Sequence, residues 1–180
     1  LLAGGHITNL ASVRLRLVQL LFLGLALRYA TQFAIEGGND VADAFRLPLF
    51  ASGFLLLLFG LWVNRPHAGF PLAFVGILLN ATAVTTNGGF MPVWGPSVTA
   101  AGLSLDDTIS AFHRIVGIAP DGGIAGDFLA AAGPLGDIIP IPLPFIRNVA
   151  SVGDVFLAAG LAFFLFSITV RPPAELEAAA

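Results

Sequence analysis

Four long apolar stretches divide this chain, and the segments between them hold nearly all of its charge. Each stretch is 17 residues or longer, and about 20 residues at roughly 1.5 Å rise per residue cross a hydrocarbon core of about 30 Å. The apolar runs fall at about residues 13–34, 47–63, 69–86 and 152–170. The expected architecture is an all-α polytopic transmembrane bundle forming a single membrane domain over residues 1–180. The chain opens at Leu1-Leu2-Ala3-Gly4-Gly5, which reads as the end of an earlier apolar helix, so a fifth span upstream is expected.

Composition enters first through what is missing. All eight basic residues are Arg, and the chain has no Lys and no Cys. Schiff-base chemistry is therefore closed to it, as are thiolate clusters, disulfides and thiol nucleophiles. A net charge of −3 offers no basic face for nucleic acid. Redox cofactors in a bundle need an imidazole on a spanning helix. His6 precedes the first run, His67 falls in the turn at residues 64–68, and His113 lies outside the runs, so no cofactor and no metal are expected.

Between the third and fourth runs lies an insert at about residues 87–151, rich in Gly and Pro yet strongly apolar. Disorder favours low hydrophobicity and high charge, so this segment is expected to be ordered and external. Ser104-Leu105-Asp106-Asp107 reads as a helix N-cap with an acidic third position. Ile109, Phe112 and Val116 follow at helical spacing, which predicts an interfacial helix carrying His113. A second short helix is predicted at about residues 127–132. The three prolines of residues 138–145 predict an extended segment.

The arginines suggest an orientation. Arg14, Arg16, Arg65 and Arg171 sit at alternate run ends and would share one face, while Arg46, Arg114 and Arg147 fall on the other with eight acids from Glu36 to Asp137. The positive-inside rule places the first group in the cytoplasm and the insert outside a bacterial inner membrane.

Few residues could carry chemistry. Arg28 lies one or two turns before the end of the first run, close enough for its head to snorkel to the interface, or to meet Asp154 or an anionic headgroup. Asn80 is the one strongly polar side chain near the middle of the third run, and intramembrane Asn usually bonds to another helix. Asn87-Gly88-Gly89-Phe90-Met91-Pro92 leaves that run through a sharp reversal whose amides could also face an anion. Asp137 and Asp154 flank the Pro-rich segment. Paired carboxylates suit acid/base work, but no His lies near them in sequence. The small residues Gly53/Gly60, Gly153/Gly160 and Ala158/Ala162 predict close helix contacts.

Three segments together carry a family resemblance: LLAGGHITNLASVRLRL, LLNATAVTTNGGFMPV and GPLGDIIPIPLPFIRNVASVGDVFLAAG. With their Asn-Gly-Gly-x-Met-Pro and Leu-Gly-Asp-x-Ile-Pro motifs, they resemble a family of small bacterial membrane proteins of unknown function. The resemblance implies a missing first helix and about five spans, and it implies no activity. The residues themselves favour a non-catalytic accessory or scaffold subunit, with the bilayer and other membrane-protein subunits as partners. The alternative is a small-molecule or lipid binding or transport protein with a pocket between the spans, lined by Arg28, Asn80 and Asp154. No hydrolase elbow, zinc-binding helix or His cluster supports an enzyme.

Overall fold

The computed structural model describes residues 7–118, 126–131 and 133–170. His6, Arg171 and the Pro172-Pro173 stop lie outside the described residues. A 3-10 helix at Ile7–Ser12 leads into α1 (Val18–Glu36), followed by α2 (Asp40–Ala44), α3 (Arg46–Val63) and α4 (Phe70–Thr86). The insert then contributes β1 (Met91–Trp94), α5 (Gly95–Ala100), α6 (Leu105–Thr108), β2 (His113–Val116), α7 (Asp127–Ala130), β3 (Asp137–Leu143) and β4 (Ile146–Ser151). The last helix, α8 (Val152–Val170), starts at the residue after β4.

Two corrections follow. The all-α expectation fails because the insert folds into a four-stranded mixed sheet of order β2-β1-β3-β4. β1 pairs parallel with β2, from Met91↔His113 to Trp94↔Val116, and parallel with β3 through Val93↔Asp137. β3 and β4 form an antiparallel hairpin with an irregularity between Asp137 and Ile139. The predicted interfacial helix stops after the four residues of α6, and Ser104 gives it no side-chain cap. Phe112 and Val116 instead flank and end a strand, whose backbone pairing with β1 outweighs a helical spacing of only three residues. The extended reading of the proline-rich segment agrees with β3, where the prolines occupy a hairpin.

The second correction concerns the count of spans. Three helices are long and apolar enough to cross a membrane: α1, α3 and α8. The third expected span, at residues 69–86, is α4, which is apolar but has only 17 residues. Glycine at its N-cap (φ 85°) and the Asn87 C-cap cut it short of the others. α1 and α8 bury little of their surface within the chain, and Phe22, Phe33, Phe163 and Phe166 all face outward. Such faces suit lipid.

The helices pack in the order α1, α3, α4, α8 through backbone contact at glycine. A Cβ on Gly24 of α1 would lie 2.8 Å from the carbonyl oxygen of Gly53 on α3. On α4 and α8, Gly69 and Gly76 face Gly160 and Gly153, so the two helices touch at two glycine pairs of matching spacing. A Cβ on Gly76 would come within 2.6 Å of the Leu157 amide nitrogen, and backbone cannot swing aside as a side chain can. Ala158 and Ala162, also expected at contacts, lie on the exposed face of α8. Between these layers a core of Phe50, Phe54, Leu57, Leu61, Phe70 and Ile77 is almost fully removed from solvent.

One side chain unnoticed in the sequence closes the end of the bundle opposite the insert. Asn64, 1% exposed, accepts from the Arg16 amide at 2.8 Å and donates to the Arg16 and Gly60 carbonyls at 2.7 and 2.8 Å. It pins the strained entry to α1, where Leu17 has φ 50°, and brings Arg14 and Arg16 to the same end as Arg65. That capture moves the start of α1 from the expected residue 13 to Val18.

Substituting Gly76→Val is expected to lower thermal stability in detergent by about 1–3 kcal/mol through overpacking. Ala158→Val on the outer face of α8 should change it by less than about 0.5 kcal/mol. Equal losses in the two variants would contradict the glycine contact.

Candidate functional site

The site is built around the junction of sheet and helix. Ser151 ends β4 and caps α8: its hydroxyl oxygen accepts from the Asp154 amide at 2.9 Å, and Asp154 Oδ2 accepts from the Ser151 amide at 2.9 Å. This reciprocal capping box satisfies two donors at a helix start, where a carboxylate is also favoured by the dipole. Asn80, reaching from α4, closes the arrangement. Its Nδ2 donates to Asp154 Oδ1 at 2.8 Å, and its Oδ1 accepts from the Ser151 hydroxyl at 2.8 Å. Gly153 makes this possible, because a Cβ there would occupy the place of the Asn80 amide. Both oxygens of Asp154 are thereby engaged.

The Asn87–Pro92 segment is a latch. Asn87 Nδ2 donates to the carbonyls of Ala83 and Ala131, each at 2.7 Å, tying the end of α4 to α7. Gly88 and Gly89 take positive φ of 64° and 94°, and the Gly89 amide donates back to Val84 at 2.9 Å. Gly89 also leaves room for the stem of Arg46, a buried residue that pairs with Asp43 and donates to the Ala111 carbonyl. Phe90 lies between two guanidinium groups, Arg46 at 3.8 Å and Arg114 at 3.9 Å from its centroid. The Asn87, Gly89 and Phe90 amides are all engaged within the turn, and the Asn87 side chain holds the insert in place.

A cavity of about 410 Å³ opens between the insert ends of α1, α4 and α8 and the face of the sheet. Its polar lining includes Arg28 and Gln32 of α1, Asn80, His113, Asp137, Asn148 and Asp154. Phe50, Ile77, Met91, Phe112 and Leu157 form its apolar wall. A second cavity of about 330 Å³ shares Gln32, His113, Asp137 and Asn148 with the first and extends toward Ser110 and Asp107. Arg28, expected to reach the interface or to meet Asp154 or an anionic headgroup, lines this cavity, with its guanidinium over Phe54 at 4.4 Å and Phe112 at 5.4 Å. It makes no ion pair with Asp154. Among the described residues it donates no hydrogen bond at all, and its Nε is buried without an acceptor.

His113 belongs to β2 rather than to a helix, and the sheet brings it to Asp137, which starts β3 two strands away. The carboxylate therefore has the imidazole that its sequence neighbourhood lacked, with His113 Nε2 3.6 Å from Asp137 Oδ2. The Ser110 hydroxyl oxygen accepts from the Phe112 and His113 amides at 3.2 and 3.1 Å, so its own proton goes to His113 Nδ1 at 3.0 Å. The tautomer that follows carries its proton on Nε2, facing Asp137. Burial, reinforced by the Asp154 carboxylate, pushes the Asp137 carboxyl up to about 8, and burial pushes the His113 imidazole down. Both heads are thus neutral at pH 7, and the contact is not an ion pair, in keeping with a separation longer than a hydrogen bond.

Asp137 makes stability depend on pH. From an ordinary value of 3.8 up to about 8, the folded state holds a proton that the unfolded chain has lost, so stability falls as pH rises across this window. His113 acts oppositely, but only below its ordinary 6.5, so among the described residues Asp137 is the shifted group between 6.5 and about 8. Thermal unfolding in detergent is expected to show stability declining over that interval, by at most about 1.4 kcal/mol per pH unit. Asp137→Asn should flatten the slope; an unchanged slope would remove Asp137 as its source.

Of the residues singled out from sequence, Arg28, Asn80, His113, Asp137 and Asp154 converge on one cavity. Gln32, Asn148 and Ser151 complete the arrangement and were not anticipated. Ser151 carried a legible signal, the Ser-x-x-Asp spacing of a capping box. Gln32 and Asn148 carried none.

A protein of Thermotoga maritima described as uncharacterized is 35% identical over 111 residues, covering 61% of this chain. The chain spans 57% of that relative's length. No solved structure matches it. The family described as "Family of unknown function (DUF5317)" matches residues 12–166, a stretch that contains every residue of the cavity, and the chain belongs to that family.

Proposed function

We propose that this chain is an integral membrane protein that binds a small molecule at the membrane boundary, in the cavity between the helix ends and the sheet. The observation supporting this reading is the cavity itself: about 410 Å³, with Arg28, His113, Asp137 and Asn148 converging on it beside an apolar wall. Ligand sites are typically concave, largely apolar and marked by a few placed polar groups. The sheet clamps one side of the site and the glycine-packed helices the other, so the site is held by rigid elements. The bilayer is the proposed surrounding, as an inner membrane with the end bearing Arg14, Arg16 and Arg65 in the cytoplasm. The insert and its cavity then face the outside.

The accessory-subunit reading stands second. It draws on the outward apolar faces of α1 and α8 and on the exposed Ala158/Ala162 edge, all of which lipid would cover equally well. Neither reading calls for catalysis.

Native mass spectrometry of the protein extracted in mild detergent separates the two. The binding reading predicts a monomer or homo-oligomer carrying a small bound mass, which Leu157→Trp should displace by filling the cavity. Adding the recovered compound at a hundredfold excess over Kd should stabilise the fold by about 2.7 kcal/mol. A larger complex of fixed stoichiometry with an empty cavity would favour the subunit reading instead.

A further inference from the structure

Arg28 is the cavity group that the fold leaves without a partner. Its position is specified: Gly53 on α3 yields space for its stem, since a Cβ there would lie 2.7 Å from Arg28 Cγ. The guanidinium then rests beside Phe54 and Phe112. The two rings attract the cation but accept no in-plane N–H bond, and the Nε–H, buried without an acceptor, is costly to leave unmade. Among the described residues no acid forms an ion pair with it. Asp154 is held by Asn80 and Ser151, Asp137 is neutral beside His113, and Glu36 accepts from Gln32 at 3.0 Å. Other donors face the same space. Asn148 uses its Oδ1 on the Val149 amide at 2.9 Å, which leaves Nδ2 for the cavity, and His113 presents Nε2–H. A ring of donors around an unpaired guanidinium calls for an acceptor that carries negative charge on more than one oxygen.

We propose that the cavity is an oxyanion site, in which a carboxylate or phosphate group docks on the fork of Arg28 with Asn148 Nδ2 and His113 Nε2–H as further donors. This deepens the ligand-binding reading above and rests on it. Guanidinium and oxyanion meet through paired N–H···O bonds, a geometry that Lys does not reproduce. A protonated Asp137 adds a donor where an ionised one would repel the ligand. The wall of Ile77, Met91 and Leu157 can cover a short hydrocarbon portion. The oxyanion is therefore either a water-soluble metabolite or the head of a lipid or fatty acid.

The test is thermal unfolding of the full chain in a neutral detergent. The probes are sodium phosphate, succinate, decanoate and dioctanoyl phosphatidic acid, with sodium chloride at matched ionic strength as reference. At least one oxyanion is expected to raise Tm saturably. Arg28→Gln should weaken that apparent affinity by about tenfold or more, with Arg28→Lys intermediate. Asn148→Ala, at an exposed position that should not disturb folding, is expected to weaken it severalfold. Arg65→Gln, at the opposite end of the bundle, should leave it unchanged. A response to phosphate or succinate identifies a soluble ligand, whereas a response confined to decanoate or phosphatidic acid identifies a lipid. A shift retained in Arg28→Gln overturns the proposal. Should Arg28→Gln fail to fold, unchanged affinity in both Arg28→Lys and Asn148→Ala overturns it equally. If no oxyanion acts while an uncharged compound co-purifies in the cavity, the oxyanion site falls and the ligand-binding reading stands. If no oxyanion acts and nothing co-purifies, both fall.

Discussion

The hydrogen-bonded node of Asn80, Ser151 and Asp154 joins three parts of the molecule that have different reasons to fold. α8 folds because a long apolar segment must satisfy its own backbone, and β4 because it pairs with β3. α4 folds as an apolar helix against both neighbours. The node fixes where the sheet meets the two helices, since Ser151 is at once the last residue of the sheet and the cap of α8. Asn80 can reach it only because Gly153 lacks a side chain. The cavity lies beside this junction, and its floor inherits the geometry set there. Asp154 is often the kind of residue credited with chemistry; here its oxygens are occupied in holding the frame.

What could be read from the sequence follows from how local each signal was. Long apolar runs needed no partner to be recognised, so α1, α3 and α8 were legible, with ends displaced where a distant residue intervened, as Asn64 does at Arg16. β3 was legible because its prolines forbid a helix. β1 and β2 were not: each has four residues, β1 contains Pro92, and neither shows a long alternation. The pairing that makes them strands runs between residues about twenty apart, and the apolar spacing around Phe112 matched a helix. The candidate site was half visible. Arg28, Asn80 and Asp154 stood out as polar groups in apolar runs, but Asn80 and Asp154 lie 74 residues apart and their contact was not inferable. His113 and Asp137 became neighbours only once the sheet existed. The matched glycine pairs of α4 and α8 were half legible too, because Gly69 and Gly76 repeat the spacing of Gly153 and Gly160.

The charges of the insert side divide by task. Arg46 spends its charge on Phe90, Asp43 and the Ala111 carbonyl, and Arg114 sits over the same Phe90 ring, which locks the Asn87–Pro92 latch over α3. Asp154 is committed to the cap, and burial holds Asp137 and His113 neutral. Arg28, on the cavity wall, combines a formal charge, a position specified by Gly53 and donors without acceptors. That contrast, more than cavity size, distinguishes a place for a ligand from a packing defect.

The glycine contacts between α4 and α8 also decide how this cavity can be reached. Two backbones touching at Gly69/Gly160 and Gly76/Gly153 cannot slide past each other or part slightly, since any offset drives a carbonyl into a neighbouring amide. That wall is a fixed jamb. α1 meets the rest mainly along α3 and exposes most of its surface, and it carries both Arg28 and Gln32 into the cavity. On the ligand-binding proposal, the group that would hold the ligand thus sits on the helix with the most outward-facing surface, held to α3 by its own glycine contact at Gly24 and Gly53.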